Sequence, residues 1–467
     1  MALAQNTENL EITTATNSKQ LLSTPTPSDK ESLSRISTPD VPTFVGEINQ
    51  KMERTSLVKV KDFEDYVKQA ISSGLLDRQY DTFPRGQTKP WDYGKLPQNK
   101  SKNRYGNLIA YDETRVVLKK LPDDPYSDYI NANYIPGYKK EKCYIATQGP
   151  KPSTVIDFWR MIWQEKTLII CMLANVIESA KTKCEQYWPD IGKKKKYGDV
   201  IVLNAKHNVF ADYTFRILQV TCGDETRKIE HLHYTAWPDH GVPLYTHSVV
   251  TYLKKLLATQ PGSGAVVVHC SAGVGRTGTI ILCDICLRRA AAEGVVDVFA
   301  ETEIIRNQRA NMVDNKQQYL LAHLALVECL LSFPTALPCN EVLPIRIKEL
   351  KKLLGVQQQR LQDTAWQDEA LRPTMSQTKL SENNLAKNRY PDLVSEKISR
   401  IYLKRYPPTD EDSDYVSAVY VDGVKQQNQF LATQLPMPST FNDFWRMIAE
   451  LKVELLVMLQ PPDANDI

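Results

Sequence analysis

A chain of 467 residues is too long for one ordinary domain, and 42% hydrophobic against 24% charged residues supplies ample material for buried cores. A formal charge of only +3 argues against a dedicated nucleic-acid binder. Nine scattered cysteines, with no Cys-x-x-Cys pair facing a histidine cluster, argue against a zinc site and for a reducing, cytosolic compartment.

Residues 1 to about 50 are rich in Ser, Thr, Pro and Asn and poor in aromatics. Such a stretch cannot bury enough surface to offset its ordering entropy, so it reads as disordered. Its start has neither a basic region nor an apolar segment and does not read as a secretory signal. An amphipathic helix is expected from about Val58 to Ser73, with Val60, Phe63, Val67, Ala70 and Ile71 on one face and Gly74 as C-cap. Leu168 to Leu173 and Thr279 to Cys283 suit buried strands or helices; no apolar run reaches the length of about 18 residues that a bilayer span needs. The run Lys193 to Lys196 reads as a solvated hairpin tip. Residues 336 to about 385 hold a charged helical stretch, Ile345 to Leu354, and a Gln-rich one, and read as a linker with the opening helices of a further unit.

That further unit announces itself as an internal repeat. Lys102-Asn-Arg-Tyr105 recurs as Lys387-Asn-Arg-Tyr390, and Ser127-Asp-Tyr129 as Ser413-Asp-Tyr415. Ala146-Thr-Gln148 recurs as Ala432-Thr-Gln434, and Asp157-Phe-Trp-Arg-Met-Ile162 as Asp443-Phe-Trp-Arg-Met-Ile448. The offset is 285 for the first pair (387 − 102) and 286 for the others (413 − 127). A period this long exceeds any solenoid unit and means a duplicated domain. The expected organisation is a first domain at 57–335, the linker at 336–385, and an incomplete second copy at 386–467. The counterpart of Cys270 would fall near position 556 (270 + 286), past Ile467.

The segment from Gly264 to Gly278, GAVVVHCSAGVGRTG, reads strand, loop, helix. Ala265 to Val268 is fit for a buried strand, and Thr277 to Arg289 is helical in pattern. Five residues separate Cys270 from Arg276. A loop of small residues can turn its backbone N–H groups inward around a phosphate, and the helix that follows aims the positive end of its dipole at the same point. Arg276 offers a planar fork for two phosphate oxygens. The same field favours a thiolate, which makes Cys270 a nucleophile at neutral pH.

The string His269-Cys-Ser-Ala-Gly-Val-Gly-Arg-Thr-Gly278 resembles the signature loop of protein-tyrosine phosphatases, and the resemblance runs from about 57 to 335 and into the second copy. Tandem domains are typical of the receptor-type members. Lys102 to Tyr111, with Gly86-Gln87-Thr88 and Trp91 before it, is most similar to the mu/kappa-like group. The resemblance implies an α/β fold, a twisted mixed sheet flanked by helices, followed by the incomplete second copy. It implies that Cys270, Arg276 and Asp239 are catalytic, Asp239 lying in Trp237-Pro-Asp239 as the general acid on a mobile loop. Tyr105 would stack on the phosphotyrosine ring and make the pocket deep enough to exclude phosphoserine. Ser271, Ala272, Gly273, Val274 and Gly275 would cradle the phosphate behind His269. Glu178 would hold Arg276, Lys183 would touch the closed aspartate loop, and Thr277 would offer its hydroxyl to the cysteine sulfur. The aromatic repeat around Trp159 and the Thr147-Gln-Gly-Pro150 segment read as packing.

One position departs from the family pattern. A glutamine that helps position the hydrolytic water is replaced by Asp314, while the second, Gln318, remains. A carboxylate facing a phosphate of charge about −1.5 to −2 puts phosphocysteine hydrolysis in doubt. The expected function is hydrolysis of phosphotyrosine in proteins through phosphocysteine, without cofactor or metal, because Arg276 and the loop amides supply the charge stabilisation. Two rivals are a phosphotyrosine-binding scaffold with slow turnover and a phosphatase for phosphoinositides or phosphoserine; Tyr105 counts against the latter. Expected partners are phosphotyrosine proteins and not nucleic acid, on the cytoplasmic side of a membrane if the full-length protein carries a spanning segment.

Overall fold

The computed structural model describes residues 57–239, 241–243, 245–331, 339–363, 380–391, 393–394 and 399–459. The N-terminal segment expected to be disordered lies outside them, as do parts of the expected linker. At the start, the expected single helix is divided. Val58–Lys59 form a short strand (β1), Val60–Asp62 a 3-10 turn, and Phe63–Ser72 the helix α1. The division arises because Val58 pairs with Val296 of the two-residue strand β13 (Val295–Val296) far along the chain, and Val60 donates its N–H to Gly294. Gly74 follows in the left-handed region, where its missing Cβ is an advantage, before α2 at Leu75–Thr82.

A nine-stranded mixed sheet forms the body of the molecule. Its strands in chain order are β2 (Arg115–Val117), β3 (Tyr129–Gly137), β4 (Lys140–Thr147), β5 (Ile169–Met172), β8 (Lys194–Tyr197), β9 (Val200–Val209), β10 (Tyr213–Cys222), β11 (Glu225–Tyr234) and β12 (Val266–His269). The small pair β6 (Ile177–Glu178) and β7 (Lys181–Thr182) stands apart. The spatial order is β2-β3-β4-β12-β5-β11-β10-β9-β8. Parallel pairing joins β4, β12, β5 and β11 at the centre, and antiparallel ribbons extend from both sides. The apolar run at 265–268 therefore becomes an interior strand with parallel neighbours on both sides, displaced by one residue so that His269 completes it. Val266 and Val268 face one core and Val267 the other, the period-two division of a strand buried on both faces.

The first core is closed by α1, α2, α4 (Thr246–Leu257), α5 (Gly275–Glu293), α6 (Val298–Gln308) and α7 (Lys316–Leu331), and the second by α3 (Val155–Gln164). The lysine run at 193–196 is not a hairpin tip. Lys194–Tyr197 is the edge strand itself, and the turn lies at Gly198-Asp199. Exposed lysines on an edge discourage pairing with another chain. The charged and Gln-rich stretches after residue 342 form one helix, α8 (Leu343–Asp363). Among the described residues no helix is long and apolar enough to cross a membrane.

The repeat is structural as well as sequential. Strands β14 (Arg400–Tyr402), β15 (Tyr415–Val421) and β16 (Phe430–Thr433), with α9 (Phe441–Glu450), reproduce the arrangement of β2, β3, β4 and α3. The starts of α9 and α3 differ by 286 positions (441 − 155). Trp159 is fully buried and donates its indole N–H to the Tyr187 carbonyl, at 2.9 Å. Its counterpart Trp445 is 63% exposed. We expect Trp159→Ala to cost about 3–5 kcal/mol in denaturant unfolding and Trp445→Ala less than about 0.5 kcal/mol. Equal losses at the two positions would contradict this account of their packing.

Candidate active site

The loop from Cys270 to Gly275 joins β12 to α5, and each of its six carbonyl oxygens has a neighbour able to donate to it. His269 Nδ1 lies 3.2 Å from the Cys270 oxygen, and Gly149 donates its N–H to Ser271. Arg309 donates to both Ala272 and Gly273, at 3.0 and 2.8 Å. The N–H groups of Gly278 and Val313 take Val274, and the Thr279 hydroxyl takes Gly275. Since a peptide plane points its C=O and N–H in opposite directions, carbonyls turned outward turn the amides inward. Of these inward amides, Gly273 N–H donates to the Cys270 sulfur at 3.2 Å. Gly273 has φ +73°, and a Cβ there would fall 2.1 Å from the Thr147 oxygen, so the position requires glycine.

Arg276 lies in the first turn of α5 and binds Glu178 through both Nη atoms, at 2.7 and 3.0 Å. It also donates to the Leu173 and Pro238 carbonyls, at 3.1 and 3.0 Å. The Pro238 contact holds the segment Trp237-Pro-Asp239 against Arg276 at the end of the cysteine loop, with the buried Trp237 ring 5.7 Å from the guanidinium carbon. Asp239 pairs with Lys183 at 2.9 Å, and Lys183 approaches Glu178 at 3.9 Å. Two cations and two carboxylates thus alternate in the order Arg276, Glu178, Lys183, Asp239.

Tyr105 reaches the same place from the other side, its hydroxyl 2.9 Å from Ser271 Oγ, which donates to the Lys183 carbonyl. Its backbone is held by groups not singled out from the sequence as part of the site. Arg104 N–H donates to Gln148 Oε1, Gln148 donates to the Lys102 carbonyl, and the Arg104 guanidinium takes the Gly149 and Pro150 carbonyls. The repeat carried the signal, since Arg389 and Gln434 make the same bond. The Thr147–Pro150 segment, read as packing, is thus also a brace. Arg309 was missed too. It is buried, and desolvation pulls its pKa down to about 10.

Gln318 lies at the start of α7, accepts the Asp314 N–H at 2.9 Å and stands against Gly275. Asp314 also borders Gly275 and lines a cavity of about 530 Å³ with Tyr80, Arg85 and Arg306. Burial raises its carboxyl pKa, with Arg306 opposing. Val313 before it has φ +61°, a strained value for a β-branched residue, held by Tyr80 and Arg306 on its carbonyl. Thr277 is not brought to the Cys270 sulfur; its hydroxyl is buried, and among the described residues nothing bonds it. Among the described residues no cluster of His, Cys, Asp or Glu is suited to a metal ion.

The chain is 35% identical over 440 residues to the Tyrosine-protein phosphatase Lar-like of Caenorhabditis elegans, an overlap covering 93% of this chain and 19% of the relative. It is 37% identical over 410 residues to the Receptor-type tyrosine-protein phosphatase F of Bos taurus, covering 86% and 21%. The chain therefore spans about one fifth of the length of these relatives. They lend no support to the finer likeness to the mu/kappa-like group. The profile of the Protein-tyrosine phosphatase family matches residues 99–328 and again 384–466, the two copies of the repeat. With a match over both copies, a cysteine loop with inward amides and an arginine at its helical end, the chain belongs to the protein-tyrosine phosphatase family.

Proposed function

We propose that residues 57–335 form a catalytic domain that hydrolyses phosphotyrosine in proteins, linked through 336–385 to a second, phosphatase-like copy from 386. The observation that supports it most is the joint engagement of Arg276 by Glu178 and by the Pro238 carbonyl, which brings the Asp239 segment to the cysteine loop. Cys270 Sγ, as thiolate, attacks phosphorus while the bond to the tyrosine oxygen breaks and Asp239 gives that oxygen its proton. Water then attacks phosphorus, the S–P bond breaks, and Asp239 takes the water's proton, with Gln318 and Asp314 beside it. The inward amides of Ser271 to Gly275 and the fork of Arg276 carry the equatorial oxygens. Tyr105 flanks the incoming ring, and Lys183 keeps the Asp239 segment near. The thiol chemistry suits the cytoplasmic side of a membrane.

Asp314 favours a second reading of the same site, a phosphotyrosine binder with slow release. Its side chain borders Gly275 through Cβ, where a residue with a neutral amide is the family pattern. Like-charge repulsion would fall on phosphoenzyme hydrolysis and spare the first step.

Cys270→Ser should abolish hydrolysis of a phosphotyrosine peptide and leave binding measurable, because a hydroxyl is not ionised at pH 7; turnover above a vector control would remove Cys270 from its role. Asp239→Ala should lower kcat about 10²–10⁴-fold for a tyrosine leaving group, and far less for an aryl phosphate whose leaving group needs no proton. Equal losses on both substrates would mean that Asp239 is not the proton donor. Rapid mixing should show a burst of leaving group before a slower steady state, and Asp314→Gln should raise the steady rate and shrink the burst. No burst in the parent, with an unchanged rate in the variant, would show that Asp314 does not slow the enzyme.

A further inference from the structure

Behind the cysteine loop, five polar side chains form a hydrogen-bonded relay that the proposed reaction does not use. Arg216 on β10 stands opposite His231 on β11 in the antiparallel register, and His233 is two residues along the same face. Arg216 Nη1 lies 3.4 Å from His231 Nδ1 and 3.3 Å from His233 Nδ1. His231 Nε2 is 2.8 Å from the Tyr187 hydroxyl, which is 2.8 Å from His269 Nε2. At the far end His269 Nδ1 meets the Cys270 oxygen, and His233 Nε2 meets the Ala174 oxygen at 2.9 Å.

The ends of this relay decide its direction. A guanidinium can only donate, so Nδ1 of His231 and of His233 must accept and their protons must sit on Nε2. His231 then donates to Tyr187, whose single proton goes on to His269 Nε2. The competing acceptor, the Met172 sulfur at 3.8 Å, is weak and distant. His269 must therefore carry its proton on Nδ1, facing a carbonyl that can only accept. A pure donor at one end and a pure acceptor at the other demand the same orientation of every group between them.

We propose that Arg216 is a positioning residue for the catalytic loop: by fixing the tautomer of His231 and, through Tyr187, that of His269, it holds the Cys270 carbonyl toward the sheet. The Ser271 N–H on the same peptide plane then points away from His269. Without that donor the relay can reverse, and His269 would turn a lone pair toward the Cys270 oxygen. Burial keeps the imidazoles neutral, as the relay requires. His231 is pushed well below its ordinary range, His233 to about 3 and His269 to about 4, each chiefly by desolvation. The Trp188 ring, 4.7 Å from the Arg216 carbon, holds the guanidinium in place.

The tautomers are independent of the phosphatase reading; only the kinetic consequence rests on it. Nitrogen-15 NMR of the intact, histidine-labelled chain at neutral pH should show His231 and His233 as Nε2–H and His269 as Nδ1–H. His269 as Nε2–H in the parent protein overturns the proposal, whatever the activity. Arg216→Met keeps the bulk and removes the donor; it should give mixed tautomers at His231 and His269. Its kcat on a phosphotyrosine peptide should fall about tenfold, the loss of one hydrogen bond that orders the loop, with KM changed less than about twofold. Tyr187→Phe cuts the relay, so adding Arg216→Met to it should lower kcat no further. An unchanged His269 tautomer in Arg216→Met, or fully additive losses in the double variant, would show that Arg216 does not act through the relay.

Discussion

The site depends on six consecutive carbonyl groups being satisfied on the outside of one small loop. An anion cradle needs amides that point inward, and such a conformation leaves the opposite edge of every peptide plane facing protein. A buried carbonyl without a donor costs about as much as a lost hydrogen bond, so the conformation exists only where donors already stand. Arg309 supplies two, from a side chain fully withdrawn from solvent at the end of α6. Gly149 supplies another from the end of β4, and His269 stands at a fourth carbonyl. The nine-stranded sheet and its helices can be regarded as the frame that holds these donors still.

Charge follows the same logic. Arg276 and Lys183 are matched by Glu178 and Asp239 within one connected group. Buried ions need partners and hydrogen bonds, since the loss of hydration can exceed the attraction regained. Glu178 occupies both Nη atoms of Arg276, which sets the plane of the guanidinium. Lys183 connects that pair to Asp239, so the acid segment and the arginine share one electrostatic neighbour. Asp314, whose carboxyl pKa burial raises, borders Gly275 and is not a member of this group.

The duplicated motif separates what is local from what is not. Arg104 with Gln148 and Arg389 with Gln434 form the same backbone lock, at 2.8 Å in both copies. In the first copy the lock delivers Tyr105 to Ser271; in the second, Tyr390 is 61% exposed. A bond between segments close in the fold reproduces itself wherever the motif recurs. Tyr105 finds its partner on the loop that follows β12, a contact between distant segments that no local motif encodes.

That distinction also divides what could be read from the chain alone. The strand-loop-helix at 264–289, the spacing of Cys270 and Arg276, the duplication and the family were legible, because each is written in neighbouring residues or in a simple offset. Even the departure at Asp314 could be read against that pattern. The division of the first helix was not, since it follows from Val58 pairing with Val296, and the edge-strand role of Lys194 to Lys196 follows from the place of β8 at the end of the sheet order. Arg309 and Arg216 looked like any other arginines. Burial made one a brace for loop carbonyls, and an antiparallel register set the other against two histidines. Local spacing determines which groups can do chemistry; only tertiary packing decides which distant donors hold them in the one orientation where they can.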